Sequence, residues 1–386
     1  MFLILLYLAI FLVIWYTVLQ HYFRRLVLPK RVVDSNIPFQ SSSSVVQNCF
    51  NLLSTYCPVI PVNSQNISVL VNPTDFYDSI ISHIRNAKHR IFISALYFGT
   101  GQLEQTIITE LESALKKNPN LSVNLIFDHR RLLRGFGKSS SGRTCCVELF
   151  SGLLNSISRT AELFGVLHLK GFVFDNHVIV SGANLSDDYL SGPESGKQDR
   201  YFLFKDSPNL CHWFVSLMDI VSPFCFQSSL QRHWLSSSCC PSSTTPSLTS
   251  LITTFQTSSP SPSDTVVLPT VQAGFSRLGH ESGVLQGLFS AIDSSSPSSS
   301  TQSNDDYITS LSISTPYLNF PRPLARQITK ISHNPFINLF SYWSFSQGQL
   351  FLWSQGNLWI CSHCLCLCHD ETAEKAVFKG SCFPLR

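Results

Sequence analysis

The chain has 386 residues, 44% of them hydrophobic, which is enough for a sizeable core and for two compact domains. Charged residues make up only 13% and the net charge is +3, so an electrostatic nucleic-acid binder is not expected. Its 13 cysteines fall irregularly and cluster late, which argues against a disulfide framework. In chain order, MFLILLYLAIFLVIWYTVL opens the sequence without a charge and is followed at once by Arg24, Arg25, Lys30 and Arg31. The length suits a bilayer-spanning helix, and the flanks suit a retained anchor over residues 1–23 better than a cleaved signal. The positive-inside rule would leave the body of the protein on the cytosolic or equivalent side.

Residues 24–66 are rich in Ser, Asn and Pro and read as a linker. Ser68–Val71 reads as a buried strand. Asn72, Pro73 and Asp75 then start a helix, whose Phe76, Ile80, Ile84 and Ala87 share one face. RIFISALYF is a strand ending in Gly99-Thr100-Gly101, and Leu103, Ile107, Leu111 and Leu115 mark the next helix. LSVNLIF is a further strand that delivers Asp128 at its end. This alternation predicts a mainly parallel α/β sheet flanked by helices. Function should then collect at the carboxyl ends of the strands.

VLHLKGFVFDNHVIVSG reads as two strands joined at Asp175-Asn176. KQDRYFLF is another strand, and Ser207-Pro208 starts a helix. A catalytic lobe over residues 67–235 follows. Residues 236–304 are dominated by Ser, Thr and Pro and read as a disordered insert, with AGFSRLGHESGVLQGLFSAI as a short apolar island. YITSLSISTPYLNF, within residues 305–340, reads as one more strand and its exit loop. Residues 341–386 form an atypical tail. CSHCLCLCHD in that tail is too crowded for a tetrahedral zinc loop, so no metal site is expected.

The chemistry lies in HLKGFVFD. On an extended backbone, His168 and Lys170 emerge on one side. The imidazole can attack a phosphodiester and form a phospho-histidine intermediate. The ammonium can neutralise the non-bridging oxygens. Neither role needs a metal or a cofactor. Asp175 completes the HxKxxxxD pattern, but it falls in the turn and reads more as a scaffold. A carboxylate should set the histidine tautomer; Asp199 is the candidate, with Glu194 second. Ser181-Gly182-Ala183-Asn184 ends the hairpin, and Asn184 can donate to phosphate oxygens. Arg130, Arg131, Arg134, Lys138 and Arg143 form either a cradle for anionic headgroups or a solvated basic loop.

HLKGFVFDNHVIVSGANLSDDYL, followed by KQDRYFLF, resembles the phospholipase D superfamily. Within it, NPTDFYDSIISHIRNAKHRIFISALYFGTGQLEQ is similar to the phosphatidylglycerophosphate synthases of eukaryotic mitochondria. The resemblance covers roughly residues 68–222, with a weaker echo at YITSLSISTPYLNF. It implies a CDP-diacylglycerol–glycerol-3-phosphate 3-phosphatidyltransferase of phosphatidylglycerol and cardiolipin synthesis. His168 would attack CDP-diacylglycerol, CMP would leave, and glycerol 3-phosphate would take the phosphatidyl group. The resemblance also implies nucleotide binding at Ser94, Ala95, Leu96, Tyr97, Phe98, Gly99, Thr100 and Gly101, and a mitochondrial, membrane-associated location. Such enzymes carry HxKxxxxD twice, whereas His333, His363 and His369 all lack a lysine two places on. The segment from Arg143 to His168 is also short for the family. The chain therefore reads as a truncated form, one lobe with an incomplete second lobe. The alternatives are a homodimeric single-motif phosphodiesterase, such as a mitochondrial nuclease or cardiolipin hydrolase, and a catalytically dead remnant.

Overall fold

A computed structural model describes residues 28–30, 39–41, 43–128, 131, 167–192, 197–224, 227–228, 234–235, 244–257, 263–273, 278–294, 310–314, 322–333, 337–342, 358–361 and 364–368. The expected anchor over residues 1–23 lies outside them, as do Glu194 and every basic-loop residue except Arg131. Among the described residues, no helix is long and apolar enough to cross a membrane.

The segment expected to be a linker carries regular structure. Helix α1 (Ser44–Ser54) starts at Ser43, whose side chain accepts the Val46 N–H, and strand β1 (Ile60–Val62) follows. Val45, Cys49 and Leu53 recur at helical spacing and are all buried. The intervening Ser, Asn and Gln residues hide that stripe from a compositional reading.

The lobe itself begins with β2 (Ile67–Leu70), α2 (Pro73–Asn86), β3 (Arg90–Ala95), α3 (Gln102–Lys117) and β4 (Ser122–Phe127). Helix α2 starts as its sequence predicts: Pro73 stands in the first turn and the Asp75 carboxylate accepts the Asn72 N–H at 3.0 Å. Next come β5 (Gly171–Phe174), β6 (His177–Ser181), the short α4 (Asp187–Leu190), β7 (Tyr201–Phe204) and α5 (Pro208–Val221). The six strands form one sheet in the order β2-β7-β6-β5-β3-β4.

That sheet is mixed, which corrects the expected mainly parallel arrangement. Only β3 and β4 pair in parallel; the other neighbours are antiparallel. The reason lies in the connections. Helix α3 carries the chain from β3 back to the start of β4, as a parallel pair requires. The two-residue turn at Asp175-Asn176 forces β5 and β6 to run antiparallel. The block β5-β6-β7 then inserts between β2 and β3. Strands β2, β3, β4 and β6 run one way, and β5 and β7 run the other. The carboxyl ends of the first set and the amino ends of the second therefore share one edge.

Both faces of the sheet are covered. Phe172, Phe174, Ile179, Tyr201 and Leu203 face α2 and α3, where Phe76, Ile80, Ile84, Ile107 and Leu111 pack. Val173, Val178, Val180 and Phe204 face α5, with Leu210, Trp213, Phe214 and Leu217. The alternation Phe172, Val173, Phe174 is the period of two expected of a strand buried on both faces. The α3 stripe is shorter than predicted, since Leu115 is 39% exposed.

Beyond α5 the chain has β8 (Gln227–Ser228), β9 (Trp234–Leu235), α6 (Thr244–Thr254), β10 (Thr265–Pro269), β11 (Gln272–Ala273), β12 (Leu278–Gly279) and α7 (His280–Ser294). Then come β13 (Ser310–Ser314), α8 (Arg322–Ser332), β14 (Asn338–Tyr342), β15 (Leu358–Cys361) and β16 (Cys364–Cys368). A disordered insert over residues 236–304 therefore does not hold for the described part of that range. β10 is buried throughout and pairs with β1 and β16. Val284, Leu288 and Ile292 on α7 pack with Val46, Phe50 and Leu53 on α1. His280 is fully buried. Its Nδ1 accepts the Val271 N–H at 3.1 Å, and its Nε2 lies 2.9 Å from the Tyr56 carbonyl. Those short apolar runs are diluted by Ser and Pro, but each is long enough to reach a core. The strand expected at YITSLSISTPYLNF is β13, parallel to β14.

Candidate functional site: a histidine–lysine pair at one edge of the sheet

The edge where β3, β4 and β6 end and β5 and β7 begin gathers most of the described candidate residues. Asp128 follows β4. Its Oδ1 accepts the Arg131 N–H at 3.0 Å and its Oδ2 accepts the Leu167 N–H at 2.9 Å. Its own N–H donates to the Leu96 carbonyl at 3.2 Å. One carboxylate thus holds together the end of β4 and the approach to His168.

His168 and Lys170 lie just before β5, outside the strand itself. They nonetheless meet as their spacing predicts. Lys170 Nζ is 2.9 Å from His168 Nδ1 and 3.1 Å from Nε2, and it donates to the His168 carbonyl at 3.2 Å. Near-equal distances to both ring nitrogens place the ammonium across the ring, not in line with one lone pair. The Lys170 side chain is fully buried, whereas His168 is exposed. Ser94 Oγ donates to the Leu169 carbonyl at 3.1 Å and anchors the residue between them.

Electrostatics suit a nucleophile. Loss of hydration, then the charges of Lys170 and Arg131, push the His168 imidazole down to about 4, against an opposing pull from Asp128. The ring is therefore neutral near pH 7, with a lone pair available. Burial also lowers the Lys170 ammonium, to about 8, with Asp199 opposing.

Asp199 stands beside Lys170. It accepts the Arg200 N–H at 2.6 Å and the Gly182 N–H. Burial raises its carboxyl, while those N–H groups and Lys170 pull it down. Among the described residues, the carboxylate whose charge acts on His168 is Asp128, which its sequence context places at a strand end. Its position beyond a β-branched run was the available signal.

Asp175 is at the opposite edge. It has a positive φ of 53°. Its carboxylate accepts the N–H groups of Lys88, His89 and Arg90 at 2.8, 2.8 and 2.9 Å. Burial would raise this carboxyl, but the three donors hold it below its ordinary range. Asp175 ties the hairpin to the start of β3 and lies away from the histidine.

Ser94 to Gly101 lines the functional edge, and two of its N–H groups are used internally. The Leu96 N–H donates to Asn184 Oδ1 at 3.2 Å, and the Gly99 N–H donates to the Leu185 carbonyl at 2.6 Å. The glycines make room for two carboxylates. A Cβ on Gly99 would lie 1.9 Å from Glu104 Oε1, and one on Gly101 would lie 1.9 Å from Asp187 Oδ2. Glu104 is 2% exposed and its Oε1 accepts the Asp187 N–H at 2.8 Å. Burial and the adjacent Asp187 raise its carboxyl to about 7. An acidic pair beneath the glycines is a poor cradle for phosphate, so close packing explains them better than the expected nucleotide contact. Among the described residues, no group of three or more His, Cys, Asp or Glu side chains could hold a metal ion.

The phosphatidylserine synthase of Haemophilus influenzae Rd KW20 shares the fold, with a TM-score of 0.51, at 22% identity over 78% of this chain and 66% of that one. No family model matches the chain. Its sequence relatives include the mitochondrial CDP-diacylglycerol–glycerol-3-phosphate 3-phosphatidyltransferase of Gallus gallus, 33% identical over 203 residues, which are 46% of this chain and 35% of that protein. The Homo sapiens enzyme of the same name is 34% identical over 200 residues. That of Saccharomyces pastorianus is 30% identical over 239 residues, covering 55% of this chain and 43% of the relative. The chain thus spans well under half the length of these curated relatives. Their names are those of transferases and do not favour the dimeric phosphodiesterase alternative.

Proposed function

We propose that the chain is the first lobe of a phosphatidyltransferase that makes phosphatidylglycerophosphate from CDP-diacylglycerol and glycerol 3-phosphate. The observation that carries this reading is the His168 imidazole held 2.9 Å from the buried Lys170 ammonium, in a chain whose relatives bear that enzyme's name. A histidine nitrogen attacks the phosphatidyl phosphorus, the phosphorus–oxygen bond to CMP breaks, and CMP leaves with the bonding pair. Lys170 and Arg131 offset the charge that builds on the non-bridging oxygens. The glycerol 3-phosphate hydroxyl then attacks phosphorus and releases its proton to solvent, and the phosphorus–nitrogen bond breaks with its pair returning to nitrogen, which restores the neutral His168. The apolar N-terminal run keeps the lobe at a membrane where its lipid substrate resides, and the mitochondrial naming of the relatives points to that organelle.

The test is CMP release from CDP-diacylglycerol by the full chain, with and without glycerol 3-phosphate. Release that depends on the acceptor, and that disappears in His168→Ala, supports transfer. Equal CMP release by the wild type and His168→Ala would sink it.

A further inference from the structure

Asp128 holds together pieces of chain that lie far apart in sequence, and one of them carries His168. Its N–H donates to the Leu96 carbonyl at 3.2 Å, just past β3. Its Oδ1 accepts the Arg131 N–H at 3.0 Å. Its Oδ2 accepts the Leu167 N–H at 2.9 Å, from 39 residues further along the chain. Leu167 is joined to His168 by one peptide bond. Each carboxylate oxygen thus has its own main-chain donor, an arrangement that suits an ionised carboxylate and not an amide. The grip falls where the sheet gives way. The β3–β5 ladder begins at the pair Ser94–Gly171, so His168 lies before it. The His168 side chain is exposed, so its place is set by its main chain and by Lys170, 2.9 Å away, more than by packing. On the other side of His168, Ser94 Oγ donates to the Leu169 carbonyl at 3.1 Å. Side chains from the ends of β3 and β4 therefore pin the residues before and after the histidine. The charge of Asp128 also reaches the ring, where it opposes those of Lys170 and Arg131.

We propose that Asp128 is a positioning residue for the transfer: through the Leu167 N–H it sets the main chain from which His168 meets the phosphorus, and through the Arg131 N–H it ties the Arg131 main chain to the same point. It acts through His168 and touches no substrate. Its part in the reaction rests on the transferase reading; its hold on His168 does not.

The test compares the full-length wild type with Asp128→Asn and Asp128→Glu. The amide removes the charge and presents one accepting oxygen in place of two. The longer acid keeps the charge and displaces both acceptors. In each variant kcat for CMP release should fall about 10²-fold with little change in KM, as when a reacting group is misplaced by about 1 Å. The second readout is the pH titration of the His168 imidazole followed by NMR, with its signal assigned by its absence from His168→Ala. A nearby carboxylate favours the imidazolium, so Asp128→Asn should move the midpoint to lower pH and Asp128→Glu should leave it near the wild type. A role in folding alone would lower the melting midpoint without moving that titration. An unmoved titration in Asp128→Asn, or wild-type kcat in Asp128→Glu, would overturn the role of Asp128. If Asp128→Asn does not fold, Asp128→Glu decides by its kcat. A wild-type chain that never releases CMP would instead overturn the transferase reading, and the titration would then decide whether Asp128 holds His168.

Discussion

The two edges of the six-stranded sheet treat their polar groups in opposite ways. At one edge, Lys170 is buried against a histidine ring and feels the charge of Asp199, and His168 is open to solvent. At the other edge, the Asp175 carboxylate is saturated by three backbone N–H groups. HxKxxxxD looks like one catalytic unit in sequence, but the four-residue strand β5 separates its first two members from its third. The proposed chemistry falls at the end where charges remain in tension, and rigidity at the end where they are satisfied.

This division predicts that substitutions at the two edges will fail differently. The largest effect belongs to His168→Ala, which should reduce CMP release by more than about 10³-fold, as expected when a nucleophile is removed. The melting midpoint should stay near that of the wild type, because the side chain is exposed. A clear loss of melting temperature in that variant would mean that the functional edge is also structural.

The opposite edge should respond in stability. Asp175→Ala removes the acceptor of three charge-assisted hydrogen bonds and puts a Cβ-bearing residue without a polar side chain at a φ of 53°. The expected cost is about 3 kcal/mol, since hydrogen bonds to charged groups contribute roughly 1.5–3 kcal/mol each and are not additive. Asp175→Asn should lose less, because Asn tolerates that conformation and retains an acceptor. Chemical denaturation reads the loss, and turnover per folded molecule should be preserved. Because the folded carboxyl is held below its unfolded value, its contribution is present above about pH 4 and disappears as pH falls through the depressed value.

Most of this lobe was legible in the sequence, for stated reasons. The cap at Asn72-Pro73, the apolar stripe Phe76-Ile80-Ile84 and the turn at Asp175-Asn176 are local signals, and the structure bears each one out. Sheet direction was not legible, because helical crossovers in β2-α2-β3-α3-β4 conceal that a hairpin block inserts between β2 and β3. The order of strands depends on which edges are apolar on both faces, a tertiary matter. The acidic pair under Gly99 and Gly101 was equally hidden: Glu104 and Asp187 are 83 residues apart, and a glycine pair near a strand end reads as a phosphate loop by default. Asp128 was visible as a residue at the right place, but its link to His168 requires the chain to return from residue 131 to residue 167.

The smallest and most diagnostic effect is in the pH profile. In the proposed transfer His168 must be neutral to attack, and its folded value is lowered to about 4. Lys170 must be charged, and its value is lowered to about 8. For the free protein, kcat/KM should therefore be bell-shaped, falling on the acid side near pH 4, well below the ordinary histidine range, and on the alkaline side near pH 8. The same lowered histidine makes the unfolded chain bind more protons between about pH 4 and 6.5, so stability rises with pH across that window. Asp199→Asn sharpens the assignment. Removing the charge that opposes burial should move the alkaline limb to lower pH and leave the acid limb where it was, because Asp199 acts on Lys170 and Asp128 acts on His168. A shift of the acid limb instead would assign Asp199 to the histidine.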